Sequence, residues 1–164
     1  MPDIPEQSQS FKEEAIYLGV LTSRRVKPLS RLEYPVQEDV LDAFKGLGLT
    51  IAPVTRYAQN GTQVTHLILS RDRRLIRQYQ IQFDGSVILG ELPFVVRVEA
   101  KFFGYPACCA EAYINDPYAP NGLCDEVIAL LFHYACPGCM QTPRLIPLYN
   151  SALAETWQIL KRLS

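Results

Sequence analysis

Thr50-Ile51-Ala52-Pro53-Val54-Thr55-Arg56-Tyr57-Ala58-Gln59-Asn60-Gly61-Thr62-Gln63-Val64-Thr65-His66-Leu67-Ile68-Leu69 decides the fold class. Thr50 to Ala58 is rich in β-formers, and Thr62 to Leu69 is a second such run. Asn60-Gly61 between them is a strong tight-turn signal. The stretch therefore predicts an antiparallel hairpin over about residues 50–69. Upstream, Ser10-Phe11-Lys12-Glu13 reads as a capping box, and Ala15, Ile16, Leu18, Val20 and Leu21 carry a helix to about Thr22. Pro35 opens a second helix, with Val36, Val40, Leu41 and Phe44 as its apolar face and Gly46 as its stop. Residues 1–9 hold two prolines and read as a loose tail, leaving 10–164 as a single domain.

Downstream of the hairpin, Arg71 to Phe83 fits either a helix or a strand, and Ser86 to Leu89 fits a short strand. Pro93 opens a helix that Gly104-Tyr105-Pro106 breaks. Pro106 starts another helix, to about Ile114. Asn121 caps a helix expected over 123–134, and a last helix is expected over about 148–162. The fold class is α+β: a small antiparallel sheet packed with helices, and a helical C-terminal half that bears the cysteines.

The chain has 164 residues, 48% of them apolar and 20% charged, so its composition is that of a chain with an ordinary core. Sixteen basic and seventeen acidic side chains leave a net charge of −1, which provides no global attraction to nucleic acid or to anionic lipid. Two basic clusters, Arg71/Arg73/Arg74/Arg77 and Arg24/Arg25/Lys27/Arg31, read as solvated faces. No apolar run is long enough to span a membrane. The first ten residues lack the basic and apolar regions of a secretory signal, so a cytoplasmic setting is expected.

All five cysteines, Cys108, Cys109, Cys124, Cys136 and Cys139, fall between positions 108 and 139. An odd count in a chain that needs no staple argues against a disulfide framework and for metal or thiol chemistry. Cys136-Pro137-Gly138-Cys139 is a knuckle: Pro-Gly pre-sets a tight turn, and the flanking thiolates can converge on one ion. His133 lies three residues before Cys136, on the same face of the expected helix, and is a candidate imidazole ligand. His66, in a β-run, reads as structural.

Pro106 puts Cys108 and Cys109 in the first turn of a helix, where free N–H groups and the dipole favour thiolate. Adjacent helical side chains point about 100° apart, so one of the two is expected to ligate while the other packs or reacts. Cys124 shares a helix face with Val127, Ile128 and Leu131 and reads as core, roughly 13 Å along the axis from His133. The expected site joins three thiolates and one imidazole: Cys136, Cys139, His133, and one of Cys108 or Cys109. Such a donor set suits zinc in a structural or interaction role, with a protein as the possible partner. An iron–sulfur cluster would prefer four thiolates and would recruit Cys124. A sulfur-transfer or redox enzyme with Cys108 or Cys109 as nucleophile is the other alternative, with Tyr105, Glu111 and Tyr113 as candidates for proton transfer.

Gly104-Tyr105-Pro106-Ala107-Cys108-Cys109, followed by His133-Tyr134-Ala135-Cys136, resembles a small prokaryotic family classed as a domain of unknown function. Its members carry Gly-Tyr-Pro-x-Cys-Cys and a later His-x-x-Cys. The resemblance covers about residues 102–140 and implies that Cys108, Cys109, His133 and Cys136 form one site. It implies no reaction.

Overall fold

In the computed structural model, which describes residues 6–89 and 92–163, a three-stranded antiparallel sheet lies between two groups of helices. The hairpin forms as its sequence requires: β2 (Thr50–Tyr57) pairs with β3 (Gln63–Ser70), with Val54 opposite His66. A short strand that the sequence does not announce, β1 (Ser30–Leu32), adds to the free edge of β3 and gives the order β1-β3-β2. Side chains alternate across a strand, so Leu32, Ile51, Leu67 and Leu69 join one apolar cluster while Val54 and Ile68 join the other. Burial on both faces explains why Leu67-Ile68-Leu69 is apolar without a break.

The first face is covered by α1 (Glu6–Ser23), α2 (Glu38–Gly46) and the long helix α7 (Thr142–Leu163). Residues 15–22 of α1 are all buried, which makes α1 a central rather than an amphipathic surface helix. Residues 1–5 of the expected tail lie outside the described residues. Residues 6–9 extend α1, because Glu and Gln propagate a helix well and the capping box at Ser10 is overridden. The other face is covered by α3 (Arg73–Phe83) and α4 (Pro93–Phe103), through Ile76, Tyr79, Phe83 and Phe103. Asp72 settles the ambiguous segment as helix by accepting a hydrogen bond from the Arg74 amide at 2.8 Å. Residues 86–89 form no strand of their own. They make one isolated bridge, Val87 to Tyr57.

Gly104 ends α4 at φ 73°, and a Cβ there would stand 2.7 Å from Pro28 Cδ. The chain turns on it into α5 (Ala107–Asn115). The helix expected over 123–134 shrinks to α6 (Asp125–Leu130). Leu131 turns extended, and the chain reaches Cys136 without helical structure. Tyr17 of α1 captures this segment: its hydroxyl donates to the Leu130 carbonyl at 3.0 Å and its ring meets Phe132. The last helix starts six residues earlier than expected, and Pro147 is accommodated inside it near its first turns.

Candidate metal centre

The local turns come first. Pro106 caps α5, its carbonyl accepting from the amides of Cys109 and Ala110, so both neighbouring cysteines sit in the first helical turn. Between Cys136 and Cys139, Gly138 takes φ 66°, and the Cys139 amide closes the knuckle on the Cys136 carbonyl at 3.1 Å. The fold then lays this knuckle over the start of α5. The Sγ atoms of Cys108, Cys109, Cys136 and Cys139 all lie within 4.8 Å of one another. Cys109 stands 3.5 Å from Cys139, 3.8 Å from Cys136 and 4.0 Å from Cys108, and Cys108 stands 3.8 Å from Cys139. Four sulfurs so placed could bind a metal ion.

Both members of the adjacent pair therefore join the cluster, where the sequence predicts only one. The 100° between neighbouring side chains is measured at the helix axis. The cluster lies off the end of the helix, and rotation about Cα–Cβ brings the two sulfurs together. Cys124, expected in the core, is exposed at the N-cap of α6 and stands apart from the four. The shortened helix removes the apolar face it was to share.

His133 is not one of the converging groups. Because residues 131–136 are not helical, the imidazole and the Cys136 thiol do not share a helix face. Its Nε2 instead meets the Thr142 hydroxyl at 3.0 Å, and its ring packs on Tyr105 with centroids 5.4 Å apart. Burial, aided by the charge of Lys27, brings its pKa down to about 4, so the ring is neutral at pH 7.

Thr142 is the residue that the sequence reading passes over. It is buried at the start of α7, its hydroxyl 3.7 Å from Cys109 Sγ and its amide donating to Cys139 Sγ at 3.3 Å. A threonine three residues after a cysteine knuckle, at a helix start, is the signal that could have found it. The Cys136 amide likewise donates to Cys109 Sγ at 3.4 Å.

These contacts split the thiols. Burial pushes Cys109 up to about 12, against hydrogen bonds from Cys136 and Thr142. Burial also opposes ionisation of Cys139, but hydrogen bonds from Thr142 and the Gln141 amide outweigh it and bring that thiol down to about 6. Cys139 thus ionises before Cys109 and Cys136, whose thiols are raised, and a cation among the four would draw out the remaining protons.

The nearby candidates for proton transfer have partners other than the sulfurs. Glu111 is engaged by Arg97 in a two-point ion pair, and Tyr113 meets the Tyr118 hydroxyl. Burial raises the Tyr105 phenol far above neutrality. Of the basic cluster read as a solvated face, Lys27 is buried under the rings of Tyr105, Phe103 and Phe132, donating to the Phe103 carbonyl at 3.1 Å. Arg31 is held by Glu99 and Glu33. Among the described residues, no helix is long and apolar enough to cross a membrane. No family model, curated protein or solved structure matches this chain.

Proposed function

We propose that the four sulfurs of Cys108, Cys109, Cys136 and Cys139 hold one zinc ion in a structural four-cysteine centre. The observation that carries this is the spacing of the sulfurs. A tetrahedral site with Zn–S bonds of about 2.3 Å has S···S edges of about 3.8 Å; four of the six separations here run from 3.5 to 4.0 Å, and all six lie within 4.8 Å. In a four-iron cluster each thiolate sits on a different iron, so the sulfurs need to stand farther apart. The amide donors on Cys109 and Cys139 support the same reading, since N–H···S bonds favour thiolate and orient it. The motif resemblance over residues 102–140 agrees for three of the four sulfurs.

The ion's role would be architectural. Residues 131–141 contain little regular structure, and ligation at both ends of the knuckle would hold them against α5 and the start of α7. Elemental analysis of anaerobically purified protein tests this. One zinc per chain, with loss of folded structure when a strong chelator removes it, is the expected result. Iron and sulfide in place of zinc would overturn the zinc assignment, and a fully folded metal-free chain would overturn the architectural role.

A further inference from the structure

Beside the sulfur cluster, between α4, α5 and the segment after α6, lies a cavity of about 470 Å³. Six of its lining residues are aromatic: Phe103, Tyr105, Tyr113, Tyr118, Phe132 and Tyr134. Two charged residues, Arg31 and Glu99, also line it. Their inner atoms are committed. Glu99 Oε1 accepts from Arg31 Nη1 at 2.5 Å, Arg56 Nη1 at 3.1 Å and the Tyr79 hydroxyl at 3.2 Å, and Arg31 Nη2 pairs with Glu33.

The remaining atoms are open. Among the described residues, Glu99 Oε2 and Arg31 Nε have no hydrogen-bond partner, and neither is sealed from solvent as Arg56 Nε is. An uncommitted carboxylate oxygen thus stands on a mostly aromatic wall, its partner oxygen held from behind by two arginines and a tyrosine. Such convergence of a few fixed polar groups within apolar walls marks a small-molecule site.

Tyr118 adds a second, independent sign. It is 62% exposed, lines the cavity, and holds φ at 64°, a conformation that costs a bulky side chain energy. Its ring stands edge-on to Tyr113 and Tyr134, at 5.3 and 5.0 Å between centroids. An exposed aromatic residue kept strained at the rim of a ring-lined cavity is placed to cover a flat ligand.

We propose that this cavity binds a planar heterocycle whose edge carries N–H donors, as the edge of a guanine base does. The base N–H groups donate to Glu99 Oε2, and the rings supply stacking. The volume accommodates a base with part of its sugar. The inference is independent of which metal the cysteines hold.

The test is calorimetric titration of the purified, metal-loaded protein with guanosine, and with purine riboside, which has the ring but lacks the amino-oxo edge. Guanosine is expected to bind one per chain, at least tenfold tighter than purine riboside. Val96→Trp, which fills the cavity from α4, is expected to abolish binding. Tyr118→Gly removes the rim ring while relieving its backbone, and is expected to weaken binding about tenfold with no loss of melting temperature. Failure of guanosine to bind the wild-type protein, equal binding of the two nucleosides, or unchanged guanosine binding by a folded Val96→Trp variant would each overturn the proposal.

Discussion

Thr142→Val removes one hydroxyl and keeps the shape of the side chain, so it isolates what lies behind the sulfurs. In the wild-type protein that hydroxyl sits 3.0 Å from His133 Nε2 and 3.7 Å from Cys109 Sγ. Among the described residues the buried His133 Nδ1 atom already has no partner, so the variant leaves a neutral imidazole with neither nitrogen paired. Leaving a buried donor or acceptor unsatisfied costs about 1–3 kcal/mol, and the full burial of Thr142 argues against water replacing the hydroxyl. In the proposed centre the same hydroxyl would orient the Cys109 sulfur, and loss of an outer-layer partner typically lowers metal affinity about 10- to 100-fold. Thr142→Ser restores the oxygen and is expected to recover most of both effects. Competition with a chromophoric chelator gives the affinity, and urea denaturation of the metal-loaded protein gives the stability. If Thr142→Val holds zinc as tightly as wild type and unfolds at the same urea concentration, the account of Thr142 as a link between His133 and the centre is refuted.

Three further outcomes are expected. Cys136→Ser should lose bound metal while Cys124→Ser keeps one equivalent, because Cys124 lies outside the cluster; elemental analysis of the two proteins checks this. His133 is neutral when folded and titrates near pH 4, whereas an unfolded histidine titrates near pH 6.5. Between these values the unfolded state binds more protons, so stability falls as pH falls from about 6.5 to 4, by about 2 kcal/mol for this partly screened ring. Denaturation of His133→Gln across that range should show a shallower slope, the loss from thiolate protonation being common to both proteins. Gly104→Ala should cost about 3 kcal/mol in chemical denaturation, from the left-handed backbone and the 2.7 Å approach to Pro28.

Signals confined to a few neighbouring residues were legible without coordinates. Asn60-Gly61 announces the hairpin, Pro106 puts two cysteines in a first helical turn, and Pro137-Gly138 closes the knuckle. Each depends on φ/ψ preferences that act over a turn or less. The grouping of the cysteines along the chain likewise pointed to a shared centre. The helix over 123–134 was not legible, because its apolar periodicity suits a helix as well as an extended segment held from outside. Tyr17, more than a hundred positions away in sequence, takes the Leu130 carbonyl and ends it.

The chain by itself therefore determined the α+β class, the turns that present each pair of thiols, and the half in which the thiols gather. Tertiary structure alone decided that Cys108 and Cys109 converge together, that His133 faces Thr142 rather than the sulfurs, and that Ser30–Leu32 becomes a strand. It also decided that Lys27 and Arg31 turn inward instead of facing water. The reason is one of range. Backbone preferences are properties of adjacent residues, whereas ligand convergence, edge pairing and the burial of a charge depend on partners brought near only when distant segments pack.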